Sequence, residues 1–257
     1  MKNISFLLLM LISAFSVQSQ QESREYYQLK IYSFETEGQE KLTDDYLKNA
    51  FLPALKRLDI NKVGVFKLRA TDSETSKKTY VLIPFTSIVQ FSLLDDTLAV
   101  DKIHQQAGKA YLNAPHNQPA YQRVQSVIMK AFVDMPRMEP SKLDGPRKDR
   151  IYELRSYESA SEILYRNKVD MFNAGGEVKL FDQLKFNAVF YAEVLSGANM
   201  PNLMYMTTHA NQETRDANWK AFGAAPEWQK LKVDPNYQNN VSSNDKKFLY
   251  PTEYSDY

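Results

Sequence analysis

Cysteine is absent from all 257 residues, and histidine occurs only three times. The first absence excludes disulfides, thiolate metal sites and a cysteine nucleophile. The second leaves His104, His116 and His209 as the whole supply of imidazole. No two of them stand four residues apart, so neither a zinc nor a haem site is indicated. Glycine is sparse at 8 residues against 14 Phe and 16 Tyr, which argues against disorder and low complexity. The chain lacks Gly-x-Ser-x-Gly, and no serine has an evident base. Gly175-Gly176-Glu177 lacks the strand–turn–helix setting and the following Lys-Ser/Thr of a phosphate loop. It reads instead as a helix broken, or brought close to a neighbour, with Glu177 at a helix N-terminus or a pocket rim.

An excess of either charge is missing too. Beyond residue 19, 31 Lys and Arg balance 31 Asp and Glu. Nothing therefore points to nucleic acid or to an acidic membrane surface. Only one long apolar run exists, Ile4 to Phe15, behind the single charge of Lys2. Val17 and Ser19 supply the small residues of a cleavage site. Residues 1–19 read as a secretory signal peptide, too short to span a bilayer comfortably, with no stable membrane insertion expected after cleavage. Without a cysteine after the run there is no lipoprotein anchor. The expected location is secreted or periplasmic, and an exported chain without disulfides has to rely on its core. An apolar fraction of 43% and a charged fraction of 25% are those of an ordinary soluble globular protein and suffice for that core.

What the chain does have is a repeated strand. Tyr27-Gln-Leu-Lys-Ile-Tyr32 matches Tyr152-Glu-Leu-Arg-Ser-Tyr157 position by position, and both alternate as strands do. Tyr27 pairs with Tyr152, Phe66 with Tyr191 and Tyr80 with Tyr205, each offset by 125. Lys109-Ala-Tyr-Leu-Asn-Ala-Pro115 resembles Lys220-Ala-Phe-Gly-Ala-Ala-Pro226 further on. Between the copies, residues 135–148 carry Pro136, Pro140, Gly145 and Pro146, a linker composition. Residues 20–134 and 149–257 each read β-α-β-β-α-β, the ferredoxin-like order. The first long helix carries Pro53, which should kink or interrupt it. One such unit leaves one sheet face bare, so two in tandem are expected to close into an α/β barrel within one chain.

The run Arg150-Ile-Tyr-Glu-Leu-Arg-Ser-Tyr-Glu-Ser159 resembles the NIPSNAP family. So do Met171-Phe-Asn-Ala-Gly-Gly-Glu177, Pro201-Asn-Leu-Met-Tyr-Met-Thr207 and the pattern of Trp219, Phe222, Pro226 and Trp228. Pro119-Ala-Tyr-Gln-Arg123 and Leu249-Tyr-Pro-Thr-Glu-Tyr-Ser255 extend the resemblance over nearly the whole exported chain. It implies dimeric α/β-barrel units, here as a tandem pair, and leaves room for a homodimer. It carries over no catalytic motif, metal or cofactor. The family's animal members are associated with mitochondria and vesicle trafficking, a setting from which an exported protein departs.

Strand parity nominates a candidate site. Gln28, Lys30 and Tyr32 share a face in the first copy, as do Glu153, Arg155 and Tyr157 in the second. The more apolar faces, with Leu29 and Leu154, are expected against the helices, and the polar faces in the interior between the two sheets. There Glu153, Arg155 and Tyr157 would lie near Tyr191 and His209, with Lys30 and Tyr32 opposite. Two readings of that face stay open: an internal ion-pair network, or the lining of a small-molecule site. Trp219, Phe222 and Trp228 read as core rather than as an aromatic cage. At the level of function the sequence is compatible with a barrel binding a small apolar or aromatic molecule. It is equally compatible with a cofactor-independent monooxygenase, isomerase or decarboxylase using Arg155, Tyr157 or His209, or with a protein-interaction module.

The exported protein is expected to begin near Gln20. N-terminal sequencing of material recovered outside the cytoplasm checks this, and an intact Met1 would exclude it.

Overall fold

Strand order makes the two units a single object. The computed structural model describes residues 23–69 and 77–257; residues 1–19, read above as a signal peptide, lie outside these. The first unit runs β1 (Tyr26–Phe34), α1 (Glu37–Tyr46), α2 (Leu52–Arg57), β2 (Gly64–Leu68) and β3 (Lys77–Phe85). It continues through α3 (Ile88–Val100), α4 (Lys102–Ala107) and α5 (Lys109–Leu112) to β4 (Arg123–Ala131). The second runs β5 (Ile151–Glu158), α6 (Glu162–Phe172), α7 (Glu177–Gln183), β6 (Ala188–Ser196), β7 (Asn202–His209), α8 (Gln212–Ala224), α9 (Pro226–Leu231) and β8 (Ser243–Pro251). Within the units the strands lie in the orders β4-β1-β3-β2 and β8-β5-β7-β6. The two sheets join edge to edge, β2 to β8 and β4 to β6, and close an eight-stranded antiparallel barrel. Closure removes every unpaired sheet edge.

Local chemistry starts and stops the elements. Thr36 and Gln39 form a capping box at α1. Ser87, Ser161 and Asn211 cap α3, α6 and α8 through their side chains. The interruption expected at Pro53 takes the form of a π-helical turn, Leu47–Phe51, leading into α2. Widening the helix there accommodates a residue that has no amide to donate and whose ring crowds the preceding turn. Gly176, at φ +87°, lets the chain turn from α6 into α7, and a Cβ on Gly175 would stand 2.5 Å from the Met171 carbonyl oxygen. Pro226 follows the end of α8 and opens α9 at its first position, where a missing amide costs nothing.

Three cores result. The barrel lumen holds Tyr27, Leu29, Phe66, Met129, Tyr152, Leu154 and their neighbours. Leu47, Phe51, Leu55 and Val81 pack between sheet and helices in the first unit. Phe172, Phe181, Phe186, Tyr191, Tyr205 and Phe222 do so in the second. The segment read as a linker forms a strap. Its Met138 is fully buried in the lumen core, and the Met138 amide donates to Glu25 Oε2 at 2.8 Å.

This arrangement reverses the expected parity. The Tyr27/Leu29 and Tyr152/Leu154 faces point into the lumen, and Glu153, Arg155 and Tyr157 point at the helices. The reason is solvation. Along most of its length the lumen offers a side chain only the facing sheet, so it takes the apolar face, whereas the helix layer can bring polar side chains to a charge. Part of the repeat arithmetic fails for a related reason. Tyr27 and Tyr152 are both in the lumen, but Phe66 and Tyr80 face the lumen while Tyr191 and Tyr205 face the helices. Ile31 stands opposite Tyr80, and its counterpart Ser156 stands opposite Met204, so the offset in these strands is 124. A one-residue slip moves every side chain to the other face.

The two units should fold only together. Separated, each would expose an apolar sheet face of the kind formed by Leu29, Leu82, Val127 and Met129. Residues 20–134 and 147–257 expressed alone are expected to be aggregated or molten; two monomeric halves with cooperative thermal transitions would contradict the shared core.

Candidate functional site

The second unit gathers its charges between β5 and α8. Alternation along β5 aims Glu153, Arg155 and Tyr157 at the helix layer. The Asn211 cap sets the start of α8, so that Arg215, Trp219 and Phe222 recur at helical spacing on its inner side. Glu153 is completely buried and fully engaged. It accepts from Arg155 Nε at 2.7 Å, from Arg215 Nε and Nη2 at 2.8 Å each, and from Trp219 Nε1 at 2.9 Å. The Arg155 guanidinium lies 3.9 Å from the Trp219 ring centroid, and its Nη1 donates to the Tyr157 hydroxyl at 3.1 Å. Tyr205 donates to the same hydroxyl at 2.8 Å. A second buried pair stands beside this chain. Lys168 Nζ donates to Glu177 Oε2 at 2.9 Å, and the ammonium is 4.7 Å from the Phe172 ring centroid.

These contacts fix the protonation states. Burial alone would raise the Glu153 carboxyl; the Arg215 hydrogen bond, the Arg155 charge and the Trp219 N–H outweigh it and bring it down to about 2. Glu153 is therefore an anion committed to its partners and not a poised base. Burial lowers His209 to about 4. The ring packs edge-on against Phe186, with Nδ1 3.2 Å from Asn218 Nδ2 and Nε2 3.3 Å from Thr207 Oγ1. His209 ends β7 as a neutral histidine in the helix layer, not in the interior between the sheets. Glu177 does begin a helix, yet it is buried and paired rather than on a rim.

Of the seven nominated residues, five come together: Glu153, Arg155, Tyr157, Tyr191 and His209 share the helix side of the second sheet. Lys30 and Tyr32 lie in the other unit. The Lys30 ammonium is 5.3 Å from the Phe51 ring centroid, and Tyr32 packs on Phe34 and Tyr121. Only a polar lumen would have joined the two groups. Sequence reasoning missed Arg215, Lys168 and Tyr205, as well as the polar role of Trp219. The 215/219/222 spacing behind Asn211 carried the one signal for that helix face, read only as an apolar stripe.

An open cavity adjoins this wall. It measures about 670 Å³ and lies between α7, the start of β6 and the strap. Met135, Pro140, Val178 and Ala188 give it apolar surface, and Asp134, Glu139, Lys142 and Asp182 stand around it. Tyr191 lines it as well. That side chain is 1% exposed, and its hydroxyl has no hydrogen-bond partner in the protein. Burial first, then the charges of Glu177 and Asp182, push the phenol well above its ordinary value, so it stays a neutral donor. Among the described residues no cluster of His, Asp and Glu is placed to hold a metal ion, and no helix is long and apolar enough to cross a membrane.

Residues 152–256 match the family model NIPSNAP. No curated protein matches the chain. Among solved structures, a proposed monooxygenase of Fusobacterium nucleatum subsp. nucleatum is 8% identical, with 90% of this chain and 93% of that one covered and a TM-score of 0.52. A proposed monooxygenase of Lactobacillus acidophilus is 12% identical over 89% of this chain and 94% of that one, also with a TM-score of 0.52. An anthrone oxidase-like protein is 12% identical over 90% and 93% of the two chains, with a TM-score of 0.50. At these identities the likeness is one of fold.

Glu153→Gln should cost about 3–5 kcal/mol at pH 7, because two buried guanidiniums lose their counter-charge. The depressed carboxyl stabilises the fold above its unfolded value near 4.5, and that contribution is lost as pH falls toward about 2. Urea unfolding of wild type and variant at pH 7 and at pH 3 should therefore show a gap that narrows in acid. Equal midpoints at pH 7 would show that the network contributes no stability.

Proposed function

We propose that this chain, whose C-terminal unit matches the NIPSNAP family model, is an exported binding protein for a small apolar or aromatic molecule. The observation that carries the reading is the 670 Å³ cavity walled by Met135, Pro140, Val178 and Ala188, with Tyr191 among its lining residues and charged groups around it. A volume of that order is typical of ligand sites, and a few placed polar groups among apolar walls fix a ligand's orientation. The sequence expectation placed the ligand in the barrel. The lumen core of Tyr27, Phe66, Met129, Tyr152 and Phe190 fills that space over most of its length, which moves the reading to the helix side. Export rests on the pattern of residues 1–19 and remains part of the proposal.

Binding is favoured over catalysis by the state of the titratable groups. Glu153 is an anion held by two arginines, and His209 is neutral and engaged on both nitrogens. Neither is available to the cavity as an acid or base. A second reading, a cofactor-independent monooxygenase, is supported by the fold likeness to the proposed monooxygenases and to the anthrone oxidase-like protein. The Arg155–Tyr157–Tyr205 chain is the group able to hold a phenol oxygen.

Native mass spectrometry of the protein purified from its host tests the first reading. A bound small molecule is expected, and it should be lost in Val178→Trp, which fills the cavity. An empty protein accompanied by a stoichiometric polypeptide would favour the interaction-module reading instead. Oxygen uptake with added anthrone, one O₂ consumed per anthraquinone and water formed, would favour the oxygenase.

A further inference from the structure

The two units use the same helix differently. α3 follows β3 and α8 follows β7 at an offset of 124, each opened by a side-chain cap, Ser87 and Asn211. On both, the inner side meets the sheet, with Phe91, Leu94 and Leu98 in α3 and Trp219 and Phe222 in α8. Their outer sides are unlike. α8 turns Glu213, Ala217, Lys220 and Ala224 to solvent, as a surface helix should. The equivalent positions of α3 are Val89, Leu93, Asp96 and Val100, of which Val89, Leu93 and Val100 are 59%, 53% and 78% exposed. Ile88 at the start of the helix and Ile103 just past its end are exposed as well. The fold therefore does not demand an apolar outer face at this position, since its own second unit does without one.

We propose that the outer face of α3 is a docking surface for a second copy of this chain, the two helices packing antiparallel across a two-fold axis. Val89, Leu93, Asp96 and Val100 fall within an arc of about 60° at the ordinary helical pitch, so they form one stripe. That stripe is close to symmetric about its own middle, between Asp96 and Thr97. Leu93 and Val100 stand equally far from this point, and Val89 and Ile103 nearly so. A two-fold interface has to be self-complementary, and this spacing is. Antiparallel pairing about the midpoint sets Leu93 on Val100 of the partner subunit and Val89 beside Ile103 of the partner subunit. The five aliphatic side chains would bury on the order of 400 Å² per copy, and with Gln90, Ser92 and Ala99 beside them the pair approaches the roughly 1,000 Å² at which specific interfaces begin. The dimer is accordingly a weak one. Asp96 weakens it further, because the two carboxylates flank the axis and repel, so association tightens as salt screens them. A foreign helix with a central Lys or Arg would show the opposite salt dependence. None of the stripe residues lines the Tyr191 cavity, and the dimer does not rest on the ligand reading.

Sedimentation equilibrium of the protein purified from its host, from about 1 to about 200 μM, reads the association. A monomer–dimer equilibrium is expected in that range, tighter in about 0.5 M salt than in about 0.05 M. Leu93→Glu should weaken it at least about hundredfold, as loss of a central apolar anchor does. Ala217→Glu, at the equivalent exposed position of α8, should leave it unchanged, with circular dichroism checking that both variants fold. Because the chain has no cysteine, single substitutions mark the register without interference. Oxidising a mixture of the Leu93→Cys and Val100→Cys proteins should give mainly the mixed disulfide-linked dimer. A monomer throughout, a dimer that survives Leu93→Glu or is lost equally in Ala217→Glu, weakening by salt, or a predominance of like-with-like crosslinks would each overturn the proposal.

Discussion

A sheet covered by helices on one face has to bury the other, and in this chain the only surface available is its own second copy. The β2–β8 and β4–β6 ladders bring the two bare faces together and make one lumen from two half-cores. Everything else follows from the way that lumen is filled. Because it is lined by sheet nearly all round, it accepts Leu29, Leu154, Met129 and Met206 and the rings of Tyr27 and Tyr152, and drives the charged alternates of the same strands outward. Closure within one chain also means that the barrel does not need a second molecule to complete it.

The outward displacement explains the buried charges. Glu153 and Arg155 could not be solvated in the lumen, but under α8 they meet Arg215 and Trp219, which arrive from a helix at the right spacing. An anion under three N–H-bearing side chains is a stable arrangement at neutral pH and an unreactive one. The same layer sequesters Lys168 with Glu177 and leaves His209 neutral. Strong perturbation of titratable groups often marks catalytic sites. Here the geometry assigns it to structure for Glu153 and His209, since each is already engaged by the protein.

What the packing leaves over is the more informative guide to function. Among the described residues one such recess of about 670 Å³ stands beside α7, with Met135, Pro140, Val178 and Ala188 in its walls.

The sequence by itself determined the repeat, the β-α-β-β-α-β order of each unit and the closure of the pair, because alternation, helix caps and the Tyr27/Tyr152 correspondence are local properties that no distant contact overrides. It also singled out Glu153, Arg155, Tyr157, Tyr191 and His209, which do converge. Only the tertiary structure decided which face of β5 meets the lumen. That choice depends on what stands opposite, and Arg215 and Trp219 lie more than sixty residues downstream of Glu153. Nor could the sequence keep the register of β7 through a one-residue change in spacing, which placed Tyr205 against the helices while Tyr80 looks into the barrel. Periodicity reports that two faces differ. The partner that solvates one of them is a fact of three dimensions.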